Sequence, residues 1–196
     1  LDQLLGHARA ALDDADPRLA TLADLRQGKA TNLRGQFAQV LPVLEPAAQL
    51  LRRQAGGSLR LAAVQNELAW ANLNLGHPAE AERLLRDTLE IARARSLNDV
   101  DLSKYQGHLA MVLHARNDLE GAEREVEQAL QRLIAMQAGD KFTAPVWNNL
   151  GVIRRDRGDY VGAEDAFRQT LAMEERRDPS WVSVAIAYGN MAAVAR

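Results

Sequence analysis

Residues 66–91 read NELAWANLNLGHPAEAERLLRDTLEI. Moved 41 residues along the chain, this stretch lies on GHLAMVLHARNDLEGAEREVEQALQR at 107–132. Moved 41 again, it lies on NNLGVIRRDRGDYVGAEDAFRQTLAM at 148–173. The positions that agree are those that matter for packing. Leu68, Leu109, Leu150 and Met191 share one phase, and the small residues Ala69, Ala110, Gly151 and Ala192 follow them. Gly76, Asn117 and Gly158 come next, residue types that accept the left-handed conformation ending a helix. Beyond that turn, Ala81, Ala122 and Ala163 share a phase, with Leu85, Val126 and Phe167 four residues on, and Leu89, Leu130 and Leu171 four further. Spacings of three and four describe one face of a helix. Each copy therefore reads as two helices joined by a tight turn. One such pair cannot bury its own apolar face, so neighbouring pairs must stack.

The capping residues agree with this division. Asp118 and Asp159 can accept from the free N–H groups that open the second helices. Pro78 stands where a first-turn proline is tolerated. Asp16-Pro17 and Asp178-Pro179 each read as a cap followed by the first helical residue. A weaker copy lies upstream: Gly28, Gly35, Val40, Leu44 and Ala48 fall 41 residues before Ala69, Gly76, Ala81, Leu85 and Leu89. Pro42 and Pro46 lie inside its second helix and make its first turns irregular. Helices are expected near 1–13, 17–34, 37–54, 59–75, 78–95, 99–116, 119–138, 143–157, 160–177 and 179–195. The chain reads as one array, with a partial repeat at 1–14, a degenerate one at 17–56, full repeats at 58–97, 99–138 and 143–177, and the first helix of a further repeat at 179–196.

Composition supports an all-α fold. Hydrophobic residues make up 47% of the chain, enough for a core, whereas aromatics are only 5% and Val/Ile/Thr runs are scarce. With 24 basic and 26 acidic residues the net charge is −2, which gives no electrostatic reason to expect nucleic acid. The chain has no cysteine, which excludes disulfides and Cys-based zinc sites. No apolar run approaches the ~18 residues of a membrane span. A cytoplasmic setting is expected.

The third copy carries Trp147, Leu150-Gly151, Gly158-Asp159-Tyr160, Ala163 and Phe167. Taken together these closely resemble the tetratricopeptide-repeat signature. The 41-residue period exceeds the usual 34 and is similar to the longer variety of kinesin light chains and bacterial signalling proteins. Arg154 and Thr170 depart from the family pattern, which often has tyrosine and alanine there. The resemblance covers roughly residues 17–196. It implies a right-handed superhelical solenoid of antiparallel helix pairs, with an inner groove lined by the first helix of each pair. Leu150→Ala is then expected to cost roughly 2–5 kcal/mol as a buried truncation, and Ala122→Leu about 1–3 kcal/mol through overpacking.

Signals for chemistry are poor. His7, His77, His108 and His114 form no HExxH or close ligand pair, and His108 and His114, six apart, lie on different faces of one helix. No GxxxxGK[ST] or GxGxxG occurs. Asp13-Asp14 and Glu174-Glu175 read as solvated charge at helix ends. No catalytic residue, cofactor or metal site is expected, and the chain reads as no enzyme.

The resemblance points instead to a scaffold that binds a protein or an extended peptide, as the regulatory or adaptor part of a larger bacterial protein. Alternative readings are a sensory region controlling an attached enzyme or DNA-binding domain, or a self-association module. By helical phase the groove face carries Arg26, Lys29, Asn66, Trp70, Asn74, Lys104, His108, Met111, Asn148, Asn149, Arg155 and Asn190. Asparagine donates and accepts, so it can hold a peptide group without reading the side chain. Lys29, Lys104 and Arg155 bias the ligand toward acidic groups, with Glu67 and Asp156 the nearest opposition, and Trp70 offers an amphipathic anchor. Met191 and Ala192 leave an apolar stripe on the last helix, through which copies could pair at the ends of the array.

Overall fold

A computed structural model of the protein describes residues 17–55, 57–177 and 181–194. Among these residues there are nine α-helices and no strand: α1 (Pro17–Leu33), α2 (Leu41–Ala55), α3 (Leu59–Asn74), α4 (Pro78–Ala94), α5 (Asp99–Ala115), α6 (Leu119–Ala135), α7 (Asp140–Asp156), α8 (Tyr160–Arg177) and α9 (Trp181–Val194). The helix expected over 1–13, the acidic pair Asp13-Asp14, the cap Asp16 and the dipeptide Asp178-Pro179 lie outside the described residues.

The chain divides into two compact units, one up to Ile91 and one from Ala92. In the first, α1 packs on α2 and α3, and α2 packs on α3. Its core is Val40, Leu44, Ala48, Leu61, Val64, Leu68, Leu84, Leu85 and Leu89, each at most 3% exposed. In the second, α5 packs on α6, α6 on α7, α7 on α8 and α8 on α9, while the alternate helices α5 and α7, and α7 and α9, also touch. Leu109, Val112, Val126, Leu133, Leu150, Ile153 and Phe167 form its core, each at most 2% exposed. These are the period-41 positions and their neighbours on the same helical faces.

The turns close by one recurring device. At Gly35, Gly76, Asn117 and Gly158, φ is 71°, 81°, 63° and 84°. Each turn is sealed by a six-residue backbone bond such as His77 N–H to Asn72 C=O at 2.8 Å and Asp118 N–H to Leu113 C=O at 2.9 Å. Asp118 accepts from Gly121 N–H at 2.9 Å, and Asp159 from Gly162 N–H at 2.9 Å, as their sequence positions imply. Pro17 and Pro78 open α1 and α4.

Three boundaries differ from expectation, the first being α2, which starts at Leu41 rather than near 37. Helix α6 stops at Ala135 rather than near 138, and α7 starts at Asp140 rather than 143. Here Gln137 takes φ 52° and Ala138 N–H donates to Leu133 C=O at 2.8 Å, so a second class of turn is built without glycine or asparagine. Ser96, one period earlier, does the same at φ 50°, with Leu97 N–H on Ala92 C=O. The early start leaves Pro145 inside α7 rather than in its first turn. In the upstream copy a 3-10 turn at Phe37–Gln39 precedes α2, and Pro46, which has no N–H, lies within it. The irregular first turns expected from Pro42 and Pro46 are present.

Arg154, the departure from the tyrosine pattern, has a local explanation. Its Nε donates to Glu123 Oε1 at 2.8 Å and a terminal nitrogen donates to Glu127 Oε1 at 3.0 Å, both on α6. Arg157 also bonds Glu123, which is only 9% exposed. Two guanidinium groups thus compensate one nearly buried carboxylate, as burial of a charge demands.

Candidate functional site

In the first unit, Arg26 and Lys29 are exposed on α1. Asn66 is not: it is 1% exposed, and its amide donates to Glu67 Oε1 at 3.3 Å. Glu67, expected as an opposing charge on the open face, is 8% exposed and receives the Asn32 amide at 3.0 Å. These side chains bridge α1 and α3. Trp70 is half-buried, and its carbonyl accepts from the exposed Asn74 amide at 2.8 Å. A polar cleft of about 290 Å³ lies among α2, α3 and α4, lined by Gln49, Arg52, Asn72, Glu80 and Arg83. Arg83 holds Glu80 below the usual carboxylate range by direct hydrogen bonding.

In the second unit the alternate helices α5, α7 and α9 meet at a constant offset of 42 residues. Asn190 Nδ2 donates to Asn148 Oδ1 at 2.8 Å. His114 Nε2 donates to Asp156 Oδ2 at 2.7 Å. A β-carbon at Gly107 would come 3.9 Å from Asn149 Nδ2. Arg155 Nε donates to Asp156 Oδ1 at 2.8 Å, and this bond, with that from His114, holds the Asp156 carboxyl below its ordinary range. Lys104 is exposed, its ammonium 6.0 Å from the centroid of the Tyr105 ring, and Met111 is half-buried. Burial pushes the His108 imidazole down to about 4, and the Lys104 ammonium one turn away adds to the effect.

Asn148 and Asn149 line a cleft of about 200 Å³ bounded by α7, α8 and α9, with Ala144, Thr170, Glu174 and Ile186 as further walls. Sequence reading missed this contribution from α8. Glu174, expected as solvated charge, is 7% exposed, whereas its neighbour Glu175 is exposed. The available signal was phase: Glu174 lies four residues after Thr170 on the buried side of α8, while Glu175 is turned away by a further 100°. Among the described residues, no three His, Asp or Glu stand together as a metal site, and no helix is long and apolar enough to cross a membrane.

The geometry can be set beside known proteins. Residues 61–99 match the tetratricopeptide-repeat family model. BtubC (BKLC) from P. vanneervenii is similar in structure at a TM-score of 0.80, with 19% identity, covering 96% of this chain and 78% of that one. This is a tetratricopeptide-repeat fold. A Podosopora anserina protein of kinesin-light-chain type, with nearly identical TPR-like repeats, gives a TM-score of 0.72 at 20% identity, over 91% of this chain and 85% of that one. No curated protein matches the chain in sequence. Tetratricopeptide repeats serve in general as scaffolds for protein–protein interaction and are typically non-enzymatic. Both clefts are candidate binding features of this fold.

Proposed function

We propose that the chain holds an extended segment of a partner protein along the faces of α5, α7 and α9, chiefly through its backbone. The observation that carries this reading is the Asn190–Asn148 hydrogen bond beside Asn149, whose side chain makes no hydrogen bond among the described residues. Carboxamides on successive helices present donors and acceptors to peptide groups. The acidic bias expected of the ligand rests on Lys104 in this unit, because Arg155 is engaged by Asp156. Arg26 and Lys29 offer exposed charge in the other unit. The test is to replace Asn149 and Lys104 by alanine and to measure melting temperature and peptide binding separately. Loss of binding with an unchanged melt supports the reading. A lowered melt, with the folded fraction binding normally, assigns both residues to stability and ends it.

A further inference from the structure

The cleft among α7, α8 and α9 combines features that a backbone-holding face does not need. Its volume of about 200 Å³ is below the roughly 300–1,000 Å³ of small-molecule sites and matches one long side chain. One lining residue is Glu174, which is only 7% exposed. A nearly buried carboxylate requires a cationic or hydrogen-bonding partner. The partner present is Arg177, one turn along α8, whose terminal nitrogen donates to Glu174 Oε2 at 2.7 Å while its side chain is still 38% exposed. Arg177 therefore reaches Glu174 from the solvent side, and only one carboxylate oxygen receives it. Asn149 adds a carboxamide that makes no side-chain hydrogen bond among the described residues, and Ala144, Pro145, Ile186 and Ala187 supply apolar surface for a methylene stem.

We propose that this cleft is a specificity pocket for an arginine of the bound segment. Its stem lies against Ile186 and Pro145, and its guanidinium meets Glu174 and the Asn149 carbonyl oxygen. Arginine fits better than lysine because a planar fork can span a carboxylate and a neighbouring carbonyl oxygen at once, which a point charge cannot. Arg177 is then a resident competitor that the ligand displaces. This inference deepens the peptide-holding reading and rests on it for the segment, but the pocket can be tested without a peptide.

N-acetyl-arginine N-methylamide is titrated against the whole chain, followed by NMR of the Asn side-chain amides, beside the leucine, lysine and glutamate analogues. Extended hexapeptides randomised at one position are screened in parallel. The expected result is that the arginine compound shifts the Asn149 amide and binds best of the four. Glu174→Gln weakens it by about tenfold, the scale of one charge-assisted hydrogen bond. Arg177→Ala, which removes the competitor without touching the pocket walls, strengthens it severalfold. Peptides that bind with arginine enriched support both proposals. Peptides that bind without arginine preference, or with a preference unchanged in Glu174→Gln, overturn the pocket and leave the peptide reading standing. Binding of the arginine compound with no peptide bound overturns the peptide reading and keeps the pocket. No binding of the arginine compound to wild type or to Arg177→Ala overturns the pocket.

Discussion

Gly151 lies directly beneath the ring of Phe167: a β-carbon at 151 would stand 2.6 Å from Phe167 Cδ1. The same relationship recurs three periods earlier, where a β-carbon at Gly28 would stand 2.5 Å from Leu44 Cδ1. Ala69 with Leu85, and Ala110 with Val126, occupy the shifted positions between. Glycine thus meets Phe167 and Leu44 at distances that no β-carbon tolerates, so the two helices of each of these pairs approach closely at that point. Gly151→Ala is expected to lower stability by about 1–3 kcal/mol through overpacking. Adding Phe167→Leu should recover part of that loss, so the double variant melts higher in urea than the two single changes sum to. Additive losses would show that the two positions do not share the space.

The Arg154 network makes a second prediction. Arg154→Tyr restores the family residue but leaves Glu123 and Glu127 without their α7 partner. We expect a loss of about 1–3 kcal/mol, since Glu123 is nearly buried and Arg157 alone remains to compensate it. Combining Arg154→Tyr with Glu123→Gln should cost less than Arg154→Tyr alone. Urea melts of the three variants check the order.

His108 sets the pH response in the mildly acidic range. Its folded-state value is near 4, below its ordinary 6.5, so the unfolded chain takes up the proton first. Stability from this group is complete above pH 6.5 and falls as the pH drops from 6.5 to 4. The loss is about 1–3 kcal/mol at most, since by surface area His108 as a whole residue is half-buried and not fully enclosed. His108→Gln should flatten ΔG of unfolding between pH 7 and 5. Asp156, Asp140 and Glu80, all held below their ordinary values, act in a lower window: their contribution is present above the unfolded carboxylate range and is lost as pH falls through the folded values.

Gln137 and Ser96 occupy left-handed backbone without glycine's freedom. Gln137→Gly is expected to raise stability by about 0.5–1 kcal/mol by relieving the contact of Cβ with the following carbonyl, less the entropy glycine adds to the unfolded chain. The same exchange at the solvent face of α6, for example Arg124→Gly, should instead lower it by about 1 kcal/mol. Thermal melts of both variants distinguish a conformational effect from a general one.

Much of this fold was legible because its determinants are local and repeated. The turn at Asn117 needs a residue that tolerates positive φ, and Asp118 needs a short acceptor side chain; both requirements show in residue type. The turn at Gln137 was not legible, because its left-handed residue is held by the backbone closure between Ala138 and Leu133 and not by any preference of glutamine. The same contrast runs through the candidate site. Asn148, Asn149 and Asn190 could be assigned to one face by phase, and the contact between Asn148 and Asn190 follows from stacking at a regular offset. The burial of Asn66 could not be assigned, because its amide is satisfied by Glu67, whose carboxylate is in turn held by Asn32 from another helix.

By itself, then, the sequence determined that the chain is helical, that its helices come in pairs of period 41, which faces are apolar, and where glycine, asparagine and aspartate end or begin a helix. All of these follow from side-chain volume, backbone freedom and hydrogen-bonding capacity within a few residues. Tertiary structure alone decided the fate of the charged and polar side chains. Arg154 became a partner for Glu123, Glu174 a wall of the α7–α8–α9 cleft, and Glu67 an acceptor for buried amides. The free energy of a polar group depends on which distant atoms replace its water, and those atoms are brought to it only when the helices pack.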